Sequence, residues 1–448
     1  VSDHGSTSVA VDALSRGAVD TLSERFDEPS WMAARRRSAW ESFERLPEPL
    51  VTQPEVWRRT DVRALDISAL TVPAAGPRVA REGRMLTPEH FRGIADDPAN
   101  RAGLIRHTNG VPVGATLDPA LASRGVIFTD LASAARSHAD LVREHLHSVA
   151  KVDEHRFRAL QAAMRSAGTL LYVPAGVEVA LPLMTVTSLE IPGGAIFPHT
   201  LVIAEPNSQV TLIEMQTSTP HGSRTLATAT TELIARAGAR VRYVSVQEWG
   251  APMWEVGSLI RAHAERDATL HSLVVAMGGS LVKADIESRL LGVGATSEML
   301  GVYFGDGTQH MDFNTLQEHR APSTLSELLY KGAIKDTART VFAGLIKVDP
   351  GAQKTNAFQS NRNLILSAGA RSDSIPKLEI MANDLRCTHG SATSQLNEEH
   401  IFYLMSRGLS RHQATLMIVT GFFSDLFDRM PVEQVREYVQ ARVSEKMS

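Results

Sequence analysis

The sequence predicts a mainly β protein, a parallel β-helix core flanked by N-terminal and C-terminal helical regions. Three observations point there. From about Ala167 to Arg386, β-branched and apolar residues alternate with polar ones, as in T-L-L-Y-V, T-L-V-I-A, V-T-L-I-E-M and V-R-Y-V-S-V, and helical text is almost absent. Small-residue turns at Pro206-Asn207-Ser208, Gly238-Ala239, Asp267-Ala268 and Gly294-Ala295 recur at intervals of about 30 residues, and Gly351-Ala352 follows about two intervals on. Helical periodicity returns on both sides. A propeller would give longer repeats of four strands, and a sandwich would lack the longer period. Stacked coils sharing one core fit best. The expected division is 1–166 helical, 167–389 β-helix and 390–448 helical.

The totals bound the function. A chain of 448 residues, 43% apolar and 21% charged, buries a large core and is not disordered. A formal net charge of −4 gives no electrostatic case for nucleic acid. One cysteine excludes an internal disulfide framework and a self-sufficient cysteine-rich metal site, and suits a reducing compartment. The first residues lack the secretory pattern. No apolar run approaches the ~20 residues that span a bilayer, and Pro174, Pro182, Pro192 and Pro198 interrupt the most apolar stretch. A soluble cytoplasmic protein is expected, with neither nucleic acid nor membrane as partner.

Residues 1 to about 20 are small and polar and are expected to fray. From Pro29, S-W-M-A-A-R-R-R-S-A-W-E-S-F-E-R-L reads as a helix ended by Pro47 and Pro49. Met32, Ala39, Trp40 and Phe43 share one face, and the arginine triplet reads as a solvated face with Arg35 and Arg37 outward. A polar, Pro-containing stretch runs to about Asn109. Residues 118–165 read as helical, and His145, His147 and His155 on this charged text are expected at the surface, without a metal role.

After the β region, Asn397 suits an N-cap and Gly408 the C′ position of the same helix. Ser410 with Gln413 forms a capping-box pattern for a second helix, and Pro431 opens a third. The second helix spreads Leu416 to Val419, Phe422, Phe423, Leu426 and Phe427 over more than one face. Docking on the β core would leave apolar surface over, which marks Met417, Phe422 and Phe423 as partner-binding candidates; the alternative is that the three helices bury one another.

The one thiol, Cys387, lies two positions from His389 at the seam between strand and helix. Residues at i and i+2 of a strand share a face, and both types bind soft or borderline metals. Two ligands do not close a tetrahedral site, so further donors would have to come from another chain or from a cluster's own sulfides. The blander reading is a buried small hydrophobe beside a structural histidine. His310 and His319 read as hydrogen-bonded structural residues. Asp312 and Glu318 lack the aromatic and acidic cluster expected of sugar cleavage. No P-loop, G-x-G-x-x-G, G-x-S-x-G or H-E-x-x-H motif is present.

The stretch 310–408 nevertheless carries a dense set of motifs: H-x-D, H-x-A-P-x-T-x-S, Y-K-G, A-R-x-V-F-x-G, A-Q-K-T, N-R-N-L, P-K-L-E-I, C-T-H-G and Q-L-N-E-E-H-I-F-Y-L-M-S-R-G. In that order they resemble the SufB/SufD family of iron–sulfur cluster assembly proteins. E-V-W-R-R-T-D and the W-M-x-x-R-R-x-x-A-W-x-x-F helix resemble its N-terminal region. Cys387-Thr388-His389-Gly390 is most like the SufD members, whose pattern is C-S-H-G, and no cysteine stands upstream as in SufB. Met381, Asn383, Ser394 and Asn397 depart from the SufD pattern.

The resemblance implies a right-handed parallel β-helix in a non-catalytic scaffold subunit. It implies pairing with a SufB paralogue through the β-helices and docking of SufC, an ABC-type ATPase, on the C-terminal helices. A transient iron–sulfur cluster would form where SufB and SufD meet, with His389 and Cys387 as candidate ligands, or with Cys387 as a sulfur-transferring thiol. Sulfur donor proteins would act indirectly, a flavin could join the complex, and a homodimer could form without SufB. The alternatives are a SufB-type paralogue and, from a different class, a β-helical carbohydrate-active enzyme.

Overall fold

Asn207, Gly238, Asp267 and Gly294, one from each of the first four predicted turns, hold left-handed backbone with φ of 59°, 71°, 57° and 74°. Ser323, at 58°, supplies the turn that the doubled interval before Gly351 passes over. The residue after each of the first four, Ser208, Ala239, Ala268 and Ala295, is buried. At Gly238 and Gly294 an added Cβ would lie 2.3 Å from the Oδ1 of Asn207 and Asp267, one coil away. Glycine is therefore needed there for space as well as for φ. The turn amides also bond from coil to coil, Asn207 to the Ala237 carbonyl at 3.0 Å and Gly238 to that of Arg266 at 2.8 Å.

The computed structural model describes residues 11–73, 95–219 and 222–448. From Ala167–Val173 and Leu183–Leu189 onward, strands alternate between two parallel sheets and build a β-solenoid of about eight turns. Arg240 pairs with Thr269, Thr269 with Thr296, and Thr296 with Leu325, so the side chains of successive coils stack in register. Leu212, Leu233, Tyr243 and Leu270 fill the interior of the early coils, and Met299, Phe313, Tyr330 and Phe342 that of the late ones.

Helices cover both outer faces. The Ser30–Arg45 and Arg156–Met164 helices bury Met32, Trp40, Phe157 and Leu160 over the sheet that begins with Ala167–Val173. The Arg411–Phe427 and Glu433–Met447 helices bury Val419, Phe423, Leu426, Tyr438 and Val443 against Val246, Val275 and Val302 of the other sheet. Among the described residues no helix is long and apolar enough to cross a membrane.

Several expectations are corrected. Val11–Ala13 is a strand and Arg16–Arg25 a helix capped by Ser15, so residues 11–20 do not fray as predicted; residues 1–10, and 74–94 of the polar stretch, lie outside the described residues. Strands Gly103–Thr108, Val111–Leu117 and Ile127–Asp130 break up the text read as loop and helix. Val111–Leu117 pairs antiparallel with Gly103–Thr108, and Ile127–Asp130 with Ala167–Val173, so they end the parallel stack at its N-terminal side. Arg36, inside the triplet read as a solvated face, is buried between Glu28 and the carbonyls of Ala163 and Arg165, while Arg35 and Arg37 do face outward. His145 and His155 are buried and His147 is half-buried, not at the surface. The last strand, Leu385–Gln395, runs past the expected boundary at 389 before the Glu398–Ser406 helix begins.

Candidate functional site

Both ends of the solenoid finish on strands with a single neighbour, Val111–Leu117 and Ile127–Asp130 at the N-terminal side, but there Leu121, Val126 and Phe128 pack over the first coils. At the C-terminal end Arg371–Ile380 and Leu385–Gln395 each bond to one neighbour only, and no further strand or helix of the described chain covers them. Leu378 and Ile380, stacked in register above the buried Ile346 and Val348, are consequently exposed, as is Met381. These side chains have core neighbours on one side and solvent on the other.

Cys387 and His389 lie on the final strand, paired with the buried Ala357 and Gln359. Both therefore point to the inward face of the last coil, at its mouth. Cys387 packs half-buried against the cluster of Ile346, Val348, Ala352 and Ala357. Burial pushes its thiol above the usual value, against a smaller opposing effect from the Ala357 backbone. His389 is exposed. The pair thus offers one nitrogen and one sulfur at an uncovered end, a donor set that suits an iron–sulfur cluster if a second surface supplies the rest.

Gln359 was not singled out from the sequence. It is buried directly beneath His389, and both its amide atoms lack a hydrogen-bond partner. Its amide lies so close to Gly344 on the facing sheet that an added Cβ would come within 2.3 Å of Nε2. The roughly 30-residue repeat was the available signal, since it sets Gln359 one coil below His389.

The other candidates turn out to be structural. Asp312 is buried with Lys283 at 2.8 Å and accepts a short hydrogen bond from Thr60, whose hydroxyl also lies 3.0 Å from His310 Nε2. Trp57 stacks on His155 and Phe157 beside the Lys283 ammonium. The W-R-R-T and H-x-D motifs, about 250 residues apart, meet here and clasp the N-terminal segment onto the solenoid. Glu318 is bound by Arg289, Arg320 and Lys347, so it forms no carboxylate pair with Asp312. His319 is held by Thr324 and Ser326 at 2.7 and 2.8 Å, and burial keeps it neutral, down at about 4. A cleft of about 600 Å³ beneath the Pro54–Trp57 helix is lined by Glu55, Glu154, Asp285 and Glu287, each ion-paired with arginine: Glu55 with Arg58, Glu154 with Arg158 and Arg261, Asp285 with Arg158, and Glu287 with Arg261 and Arg289.

His147, His199 and Glu232 bring their ligand atoms within 4.8 Å of one another. Glu232 already accepts from His199 and from the amides of His147, Val149 and Ala150. Burial alone would raise its carboxyl, but His199, His147 and the Ala150 amide outweigh it and hold it at about 2. Gln161 meets the other nitrogen of His199 at 3.4 Å. Every lone pair of the carboxylate is engaged, which makes it an anchor for the loop at 147–150 and not a metal site.

At the C-terminal helices, Phe423 is fully buried and Phe422 partly buried against the chain's own sheet, so Phe423 is not available to a partner as predicted. Met417, 59% exposed, remains on the surface together with Phe402, Tyr403 and Met405.

The fold defines a class, the parallel β-solenoids with helices at both termini, here with a nitrogen and a sulfur side by side on the last strand. Residues 186–422 match the SufBD core domain model of the SUF iron–sulfur cluster assembly system, and residues 98–184 match the SufBD N-terminal region. The chain is 30% identical to the iron–sulfur cluster assembly protein SufD of Bacillus subtilis over 95% of its own length and 96% of the relative's. It is 27% identical to SufB of the same organism over 95% and 91%, and 32% identical to a SufBD family protein of Mycobacterium leprae over 66% and 75%. The chain belongs to the SufBD family, components of SUF iron–sulfur cluster assembly.

Proposed function

We propose that the chain is the SufD-type scaffold subunit of a SUF assembly complex, without catalytic residues of its own. One observation carries this: Cys387 and His389 share the inward face of a final coil that nothing in the described chain covers. A SufB-type paralogue, itself a relative of similar length, would stack its own solenoid on that end and supply the missing donors. His389, the exposed member, is the first cluster ligand, and Cys387 a second ligand or a sulfur-transferring thiol. The cluster is cargo built at the junction. The exposed Met417, Phe402, Tyr403 and Met405 would receive an ABC-type ATPase, which hydrolyses ATP to remodel the pair.

The test is reconstitution of cluster assembly with the paralogue and the ATPase. His389→Ala is expected to leave complex formation intact and to cut the cluster formed at least 10-fold. Full assembly by that variant would rule the ligand role out. A SufB-type role has overall similarity and the SufB-like G-F-F-S-D-L-F segment in its favour, and against it the lack of any cysteine upstream of Cys387.

A further inference from the structure

Gln359 presents a problem that the fold alone does not solve. A buried amide without partners costs stability, and native interiors rarely retain one. The rung below offers nothing, because Gln359 stacks on Leu328. Across the interior stands Gly344, which gives room but no side chain. The rung above, about 4.8 Å away, carries His389 in register and on the same face. The neighbouring interior amide, Gln317, already spends its NH2 on Ser326 and the Phe358 carbonyl. The Gln317 Oε1 is itself buried and unpartnered and can accept from the Gln359 NH2, which leaves the imidazole on the rung above as the group in register to donate to the Gln359 Oε1.

We infer that Gln359 is a positioning residue for His389: its Oε1 accepts the N–H of one ring nitrogen, so the other nitrogen keeps its lone pair and faces out of the open end. Ligating histidines commonly have such a partner on their second nitrogen, which fixes ring orientation and tautomer. Gly344 is part of the device, since any side chain there would push the amide away from the rung it serves. The inference rests on His389 being a ligand of soft or borderline metal.

The experiment uses the full chain labelled with 15N-histidine. Long-range proton–nitrogen spectra report the tautomer of His389, assigned by its disappearance in His389→Ala. Wild type is expected to show one tautomer, the near-isosteric Gln359→Met a mixture, and Gln359→Glu, which keeps the acceptor oxygen, one tautomer again. Zn2+ titrated as the probe should bind at His389 about 10-fold more weakly in Gln359→Met. A purely structural role would shift the melting temperature without moving the tautomer. Two populated tautomers in wild type overturn the inference without recourse to any variant, as does an unchanged tautomer in Gln359→Met. If His389→Ala abolishes cluster assembly while the tautomer ignores Gln359, only the positioning role fails. If His389→Ala assembles clusters normally, the reading beneath it fails.

Discussion

Cys387 and His389 are two positions apart yet differ in reactivity, because one packs on the coil below and the other does not. With burial holding the Cys387 thiol protonated, alkylation by iodoacetamide at pH 7.5 should be several-fold slower than for a free thiol and should accelerate above pH 9, followed by mass spectrometry. A bound paralogue should block it. Glu232 is the opposite kind of residue, buried and committed to four N–H donors. Glu232→Gln should lower unfolding free energy by about 2–3 kcal/mol in urea titrations without affecting metal content. Residue-scale reading was weakest for such groups. Arg36 and Arg37 are adjacent and look alike in sequence, but the carbonyls of Ala163 and Arg165 that bury Arg36 lie about 130 residues away. His147 likewise owes its environment to His199 and Glu232 on distant coils. Cys387 and His389 were legible as a pair because strand alternation is local, whereas Gln359 needed the register.

The C-terminal helices show how one element divides its apolar residues. The predicted caps at Asn397 and Ser410, with Gln413 closing the box, are all present. The excess of apolar residues was also legible, but which of them faces the sheet was not, because adjacent aromatics at 422 and 423 point different ways. Phe423→Ala should cost about 3–5 kcal/mol in a denaturant titration, as for a core aromatic. Met417→Asp should change stability by no more than about 0.5 kcal/mol yet abolish pull-down of the ATPase. Equal ATPase recovery would remove this helix from the docking surface. Ion pairs fasten the same helices at their edges, Lys331 to Asp425, Arg429 to Glu298 and Glu327, and Lys446 to Asp306. Gly344→Ala tests the solenoid wall, and overpacking against Gln359 should destabilise by about 1–3 kcal/mol.

At the scale of the molecule, acid should destabilise the protein over two pH ranges. Burial, first among the causes in each case, holds His147 at about 3 and His155, His263 and His319 at about 4, below the ordinary 6.5. The unfolded chain takes up protons that the folded chain refuses, so this stability is complete above pH 6.5 and drains as pH falls toward 4 and then 3. Glu28 and Glu232, both held at about 2, add a second loss between roughly pH 4.5 and 2. Urea midpoints should therefore fall between pH 7.5 and 5; a flat profile would contradict the burial of these rings. The solenoid itself was legible because left-handed turns with small residues behind them are imposed by each coil on its own sequence. The antiparallel strands at 111–130 were not, since they close the stack only once and leave no repeat to detect. The bare final coil has a consequence for the life of the chain. A copy made in excess of its companions exposes two hydrogen-bonding borders flanked by Leu378, Ile380 and Met381, the kind of template on which other chains nucleate. Arg371, Lys377, Glu379 and Arg386 on the same strands are exposed charges that oppose head-on growth of identical copies. Supply matched to demand then becomes a requirement of the architecture, and surplus subunits should be cleared by proteolysis faster than assembled ones.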